Sequence, residues 1–279
     1  MGTLAERAKE WLSGGRLVVA PRSAATVMIL RDHRTADGSA VDVFMLRRVA
    51  TMAFAPRMMV FPGGGVDPRD ADPDLPWAGP SPAEWGRTLD ADEATARGLV
   101  VAAVREVFEE CGVLLAGPDA GSVVGDVSGP QWRAEREALL SRDVSLAQML
   151  IRRGLVLRSD LLRARAHWIT PEFEPKRYDT RFFAALLPAG QIADDQTSEA
   201  DHADWTDPAR LLEDYATGSA LMLAPTVWCV EQVAAAASAV EFLAAEVHMA
   251  PITPVLIQTD DAVVFRCTFP WGHLPLAGG

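Results

Sequence analysis

The 279-residue sequence lacks the features that would mark a membrane or secreted protein. No uninterrupted run approaches the roughly 18 apolar residues of a spanning helix, since even the alanine-rich stretch 233–247 contains Ser238, Glu241 and Glu246. A secretory signal is absent as well, because charged residues are already mixed into positions 1–10. We therefore expect no membrane partner and a cytoplasmic location.

Cysteine and positive charge are also scarce. The three cysteines are odd in number and widely spaced among apolar residues, which predicts reduced core cysteines rather than a disulfide framework or a zinc site. With 26 Lys and Arg against 38 Asp and Glu, the formal net charge is −12. General affinity for nucleic-acid backbone needs clustered basic residues, so no nucleic-acid partner is expected.

What the sequence does contain is a concentrated acidic motif at residues 105–113, REVFEECGV. If this segment is helical, Glu106, Glu109 and Glu110 fall within one arc of about 100°, because positions i, i+3 and i+4 are neighbours on a helix. Apolar side chains occupy the opposite side, as in a helix that packs on a core. Gly112 supplies a natural end to the helix.

Two interpretations of this acidic face stay open from these residues alone. Like charges at such spacing repel unless a cation lies between them, and grouped carboxylate oxygens are what Mg²⁺ or Mn²⁺ prefers. The alternative is a solvated helix face without a ligand.

The motif resembles the signature of the Nudix hydrolases: G, five residues, E, seven residues, then R-E-U-x-E-E-x-G-U, where U is bulky and apolar. Residues 105–113 match its second half in full, and Phe61-Pro62-Gly63-Gly64 is similar to the family's entry into the motif. Gly64 and Arg105 are 41 positions apart where the pattern has 14, so about 27 residues are inserted. Counting back from Arg105 finds no Glu at the position of the first one; Asp67 and Asp70 are the nearest acidic residues after the glycines.

The resemblance implies an α/β fold: the Nudix α/β/α sandwich around a mixed β-sheet, here with additional helical insertions. We expect one domain over residues 17–279, with insertions at about 67–92 and 118–165, and an N-terminal helix over residues 1–16. The sequence does not determine the oligomeric state, and a homodimer is one possibility.

Further elements follow from local patterns. Strands are expected at residues 24–30 and 42–48 as a hairpin, at 166–170 and at 184–187, with a terminal strand pair at 253–256 and 263–269. The polar residues 196–204 indicate a loop, and residues 223–247 predict one long helix. Asp90 or Asp92 could cap the helix that carries the acidic motif.

The resemblance also implies the chemistry, which is hydrolysis of a nucleoside diphosphate linked to another group, by attack of water at phosphorus. The expected metal ligands for Mg²⁺ or Mn²⁺ are Glu106, Glu109 and Glu110. Arg105 would brace these carboxylates rather than touch the substrate. Glu199 is a further candidate ligand or general base, or else loop surface.

Residues expected to bind the substrate lie in two places. Arg47 and Arg48 suit a diphosphate through their fixed fork of donors, with solvated strand-end charge as the alternative. Phe61, Gly63 and Gly64 belong to the glycine loop, whose backbone permits a close turn beside the metals.

The substrate itself stays open. The insertion inside the signature, the large helical insertion and the Pro225-Thr226 helix start are most similar to the peroxisomal coenzyme A diphosphatase type, which favours CoA or acyl-CoA. Hydrolysis of ADP-ribose, dinucleotides or oxidised nucleotides is the alternative, and a non-catalytic nucleotide-binding Nudix domain belongs to a different class.

Overall fold

The computed structural model describes residues 10–14, 17–35, 38–50, 56–196, 200–258 and 263–267. Most of the helix predicted for residues 1–16 lies outside these ranges. The strands, in chain order, are β1 (Arg22–Thr35), β2 (Gly38–Arg48), β3 (Met59–Val60), β4 (Gly63–Gly65), β5 (Trp77–Ala78), β6 (Ala116–Gly117), β7 (Val156–Arg158), β8 (Arg163–Ile169), β9 (Tyr178–Leu186), β10 (Ala200–Thr206), β11 (Pro251–Ile252), β12 (Val255–Gln258) and β13 (Val263–Arg266).

The α-helices are α1 (Pro82–Leu89), α2 (Glu93–Cys111), α3 (Pro130–Leu140), α4 (Leu146–Arg153), α5 (Pro208–Ala216), α6 (Ala224–Ala234) and α7 (Ala239–Ala244). Two 3-10 turns lie at Pro68–Ala71 and Ser159–Leu161. Within the described ranges, no helix is both long enough and apolar enough to cross a lipid bilayer.

One central sheet organises the molecule, with strand order β10-β2-β1-β9-β8-β11. Strand β3 pairs with β2, and β4 pairs with β1. The β1–β9 and β8–β11 pairs are parallel and the other pairs are antiparallel, so the sheet is mixed. The predicted hairpin of β1 and β2 is confirmed.

Successive residues of each strand point to opposite faces, and both faces are covered. Val27 and Ile29 pack with α1, α2, α3 and α4 in one buried cluster. Met28 and Leu30 pack with α5, α6 and α7 in the other. The chain therefore forms the predicted α/β/α sandwich around a mixed sheet.

The two predicted insertions are joined to each other by a second sheet, with strand order β5-β7-β6. Trp77 of the first insertion pairs in parallel with Leu157 of the second, and Ala116 pairs with Leu157 from the other side. The helices expected in the insertions are present as α1, α3 and α4.

Two expectations from the sequence are wrong. Part of the polar stretch 196–204 is an edge strand, β10, whose Trp205 pairs with Phe44 of β2. The single helix expected over residues 223–247 is broken into α6 and α7. Ser238 caps α7 through its Oγ, and Asp32 Oδ1 accepts a hydrogen bond from Ala239 N at 2.7 Å, so the second helix begins anew.

The smaller predictions fare better. Strands β12 and β13 form the expected terminal antiparallel pair. All three cysteines are free and buried, and burial raises the pKa of Cys111 to about 12. They are reduced core residues, as predicted.

Candidate active site

Helix α2 carries the acidic motif, and both of its ends are set by local sequence. Asp92 Oδ1 accepts a hydrogen bond from Thr95 N at 2.9 Å, which caps the first turn. Gly112 ends the helix in the left-handed region, with φ of 70°. Between these ends the apolar side of α2 is buried against the sheet.

The acidic side of α2 is buried as well. Glu109 is 7% exposed and Glu110 is 5% exposed. An unpaired carboxylate would be costly in such a place, so its partners decide the character of the site. The alternative of a solvated helix face is excluded for these two residues.

Arg105 is the centre of the carboxylate cluster, and all five of its donor hydrogens have acceptors. Nε and Nη2 donate to the two oxygens of Asp70 at 2.9 and 3.0 Å, and Nη2 also donates to the carbonyl of Gly65 at 3.0 Å. Nη1 donates to Glu106 Oε1 at 2.7 Å and to Glu109 Oε2 at 3.0 Å. The side chain is buried, so the predicted bracing role fits its position.

Asp70 is a member of this cluster that the sequence analysis did not select. It is 2% exposed, sits on the 3-10 turn after the glycine loop, and binds Arg105 through both oxygens. Counting forward from Gly64 over five residues reaches Asp70, where the signature has its first Glu. The insertion therefore lies between Asp70 and Arg105, and counting back from Arg105 by the spacing of the signature ends at Arg97, short of Asp70.

The glycine loop closes the other side of the cluster. Gly63 N donates a hydrogen bond to Glu110 Oε2 at 2.7 Å. A Cβ at Gly64 would lie 2.4 Å from Glu106 Oε1, and one at Gly63 would lie 2.5 Å from the carbonyl of Ala25. Both positions therefore need glycine, Gly64 for the carboxylate and Gly63 for the backbone of β1.

Electrostatics reflect the crowding of negative charge. Burial raises the pKa of Glu106 to about 7, although the neighbouring Arg105 opposes this shift. Burial also raises the pKa of Glu109 and of Asp70, again against the effect of Arg105. One guanidinium does not neutralise the surrounding carboxylates, and the site retains an excess of negative charge.

Carboxylate oxygens in excess are the donor set that suits a hard divalent cation. Within the described ranges, however, no three His, Cys, Asp or Glu side chains are grouped as a ready-made metal site. Glu106 and Glu109 are drawn to Arg105, and Glu110 to Gly63 N. The residues fit a cation by their chemistry, and holding one requires these side chains to turn toward a common point.

The two predicted substrate arginines lie on opposite faces of the sheet. Leu46 belongs to the cluster beneath α2 and Met45 to the other, so alternation places Arg48 on the face of α2 and Arg47 on the opposite face. Arg47 Nε binds Asp201 Oδ1 at 2.6 Å, while Arg48 Nε is buried with no hydrogen-bond partner in the described structure.

Two other predicted residues are less informative for binding. Phe61 is 3% exposed and belongs to the buried cluster of α5, α6 and α7, so its side chain supports the glycine loop from within. Glu199 lies outside the described residues and stays a prediction.

A mixed sheet between two helical layers, with a glycine loop laid against an Arg-Glu-x-x-Glu-Glu helix, defines a Nudix hydrolase domain. The family model described as NUDT19 Nudix domain matches residues 80–233, more than half of the chain, and the chain belongs to this family. Nudix enzymes generally use divalent metals.

Relatives agree with this assignment. A Caenorhabditis elegans protein named nudix hydrolase 7 is 28% identical over 223 residues, which cover 77% of this chain and 61% of that protein. A Xenopus laevis protein named acyl-coenzyme A diphosphatase NUDT19 is 23% identical over 250 residues, covering 74% of this chain and 65% of that protein. The chain thus aligns with less than two thirds of the length of either relative.

A solved structure supports the fold independently. The crystal structure of a NUDIX hydrolase from Alicyclobacillus acidocaldarius is 27% identical in sequence and superimposes with a TM-score of 0.65. The match covers 80% of this chain and 95% of that one. The two proteins therefore share a fold over most of this chain.

Proposed function

We propose that the protein hydrolyses the diphosphate linkage of a nucleoside diphosphate derivative, with CoA or acyl-CoA as the substrate and Mg²⁺ or Mn²⁺ held by Glu106, Glu109 and Glu110. The observation that carries this proposal is the buried excess of carboxylates around the single guanidinium of Arg105. Such an excess is stabilised when a cation enters the cluster.

The residues of the chain divide the work. Arg105 and Asp70 hold the carboxylates in place, and the glycine loop fixes Glu110 through the N–H of Gly63. A bound divalent cation supplies charge neutralisation at the diphosphate and an activated water. Glu199 and the signature glutamates are the candidates that would accept a proton from the attacking water.

Arg48 is the better candidate of the two arginines for contact with a substrate phosphate. It shares the sheet face of α2, and its Nε has no partner in the described structure, whereas Arg47 is engaged with Asp201. CoA or acyl-CoA is favoured by the name of the Xenopus laevis relative and by the insertion within the signature.

The test is product analysis by mass spectrometry over CoA, acyl-CoAs, ADP-ribose, NADH, diadenosine polyphosphates and oxidised dGTP, with Mg²⁺ or Mn²⁺. We expect CoA or acyl-CoA to give two phosphomonoesters, one with the adenosine part and one with the pantetheine part. Glu109→Gln should lower kcat by about 100-fold or more, because interactions worth several kcal/mol in the transition state are lost.

The matched control is Glu137→Gln, which removes the same charge from an exposed position on α3. It should keep wild-type kcat. Cleavage of ADP-ribose or a dinucleotide in place of CoA would replace the substrate and keep the site. Absence of any cleavage, with metal bound, would favour the nucleotide-binding alternative.

A further inference from the structure

The carboxyl end of α2 contacts the second insertion. A helix leaves its last four carbonyl groups without partners inside the helix. Here Phe108 O accepts from Gly112 N at 3.1 Å, and Cys111 O accepts from Asp194 N at 3.0 Å. Glu109 O accepts from Arg136 Nε at 2.8 Å, and Arg136 belongs to α3 of the insertion.

Arg136 is fixed in this position. It is 5% exposed, and its Nη1 donates to Asp194 Oδ1 at 2.6 Å. A Cβ at Gly112 would lie 2.9 Å from Asp194 Oδ2 and 3.2 Å from Arg136 Nη1, so only glycine leaves room for the pair. A cation at a helix carboxyl terminus is also stabilised by the helix dipole.

Glu109 is consequently held from two sides. Its side chain binds Arg105 at 3.0 Å, and its backbone carbonyl binds Arg136 at 2.8 Å. Beside it, Phe108 packs edge-to-face on Trp132 of α3, with ring centroids 6.3 Å apart. The insertion thus contacts the turn of α2 that carries Glu109 and Glu110.

We infer that Arg136 is a positioning residue for hydrolysis, through which the second insertion sets the geometry of Glu109 and Glu110. This inference rests on the proposed function of those carboxylates. Arg136 itself does not touch the reacting atoms; it fixes the backbone from which two metal-binding side chains project. The insertion is in this respect part of the catalytic framework.

The same insertion also supports the opposite side of the cluster. Arg69, on the 3-10 turn that carries Asp70, donates from Nη1 to the carbonyl of Arg142 at 2.9 Å. Arg142 lies in the connection between α3 and α4. One insertion therefore contacts both the turn of Asp70 and the end of α2.

The experiment compares Arg136→Gln, Arg136→Lys and Asp194→Asn with the control Arg133→Gln, which removes an exposed arginine from the same helix. Each variant is measured for kcat, KM, affinity for Mn²⁺ by calorimetry, and amide hydrogen exchange over residues 105–116. Arg136→Gln should lower kcat and Mn²⁺ affinity by about 10- to 100-fold, as loss of a supporting partner of a metal ligand does, while KM changes less than about threefold.

Arg136→Lys should recover part of both losses, because an ammonium can still donate to Glu109 O. Asp194→Asn should shift both in the same direction by less, and Arg133→Gln should match wild type. Faster exchange of the amides that follow Glu109 should accompany the losses.

The inference is overturned if folded Arg136→Gln keeps wild-type kcat and Mn²⁺ affinity, or if kcat falls only in proportion to the folded fraction. Should Arg136→Gln fail to fold, the Lys and Asn variants decide by the same two measurements. A wild type without hydrolase activity would defeat the proposed function, while Mn²⁺ affinity and hydrogen exchange would still decide the role of Arg136.

Discussion

The two faces of the central sheet are built on different principles. The layer beneath α5, α6 and α7 is mainly apolar. Within these described helices Thr226 is the only buried polar residue, and the buried Arg165 of β8 lies over the ring of Phe242. The layer of α2 buries Asp70, Arg105 and Glu109 in one set of ion pairs, and it also buries Arg136, which pairs with Asp194 and donates to the carbonyl of Glu109.

The apolar face contributes mainly to the free energy of unfolding, whereas the charged face contributes mainly to function. Apolar burial raises the free energy of unfolding in proportion to the area removed from water. Buried ion pairs contribute about as much to it as well-packed apolar residues of similar size would, or less. A sheet face that carries so many buried charges is therefore retained for what the charges do. Substitutions on the two faces should have different signatures.

The largest effect is expected on the charged face, from Asp70→Ala. Arg105 would lose the acceptors of two of its donors, and breaking a buried pair in this way costs about 3 to 5 kcal/mol of unfolding free energy. Hydrolysis should also fall more than tenfold for folded protein, since Arg105 positions Glu106 and Glu109. Urea denaturation and kcat check this, with the exposed Asp74→Ala as control; a normal kcat would contradict it.

A loss of stability without loss of activity is expected on the apolar face, from Trp228→Ala. Trp228 is 6% exposed and packs against Trp168, with ring centroids 6.4 Å apart. Truncation of a buried Trp costs about 3 to 5 kcal/mol. Denaturation should show this loss, while kcat per folded molecule stays unchanged. The control Val240→Ala, at an exposed site on α7, should affect neither quantity. A lower kcat for folded Trp228→Ala would contradict the assignment of this face to stability alone.

The smallest effects are expected from substitutions at two adjacent glycines, one of which should affect stability and the other activity. A Cβ at Gly63 meets the backbone of β1, so Gly63→Ala should cost about 1 to 3 kcal/mol of stability. A Cβ at Gly64 meets the Glu106 carboxylate instead, so Gly64→Ala should keep its Tm and lose about 10- to 100-fold in kcat, as a displaced catalytic group does.

Gly125 has no atom within 4 Å of an added Cβ, which makes Gly125→Ala the matched control. Thermal melts and steady-state kinetics of the three variants give the answer. An equal loss of Tm at Gly63 and Gly64 would show that the Glu106 carboxylate cannot move away from an added Cβ. Both glycines would then be needed for stability.

Local signals account for what could be predicted from the sequence. The bounds of α2 were foreseen, because Asp92 and Gly112 act on their own helix ends. The acidic face and the helices of the insertions follow equally from spacing within a few residues, whereas the role of Arg105 as a brace was inferred after the resemblance to the family. The α/β/α fold was implied by the resemblance of the signature.

Most of the misses involve partners that are far apart in the sequence. Strand β10 exists because β2 offers it an edge, although its own residues are polar. The break between α6 and α7 involves the local cap Ser238 and also Asp32, about two hundred positions earlier. Asp70 could have been found locally, because counting five residues forward from Gly64 reaches it, whereas no local pattern could pair Arg136 with the carbonyl of Glu109.

The small sheet that joins the insertions has a consequence for how the chain folds. During synthesis, Trp77 cannot pair until Leu157, 80 positions later, has been made. The end of α2 likewise lacks its contact with Asp194 until that residue has been made. At about 5 to 20 residues per second, ribosomal synthesis leaves the first of these pairs open for about 4 to 16 s. Contacts of such separation also slow folding of the finished chain. The acidic helix is thus an early product of translation whose enclosure is completed late, after most of the domain has emerged.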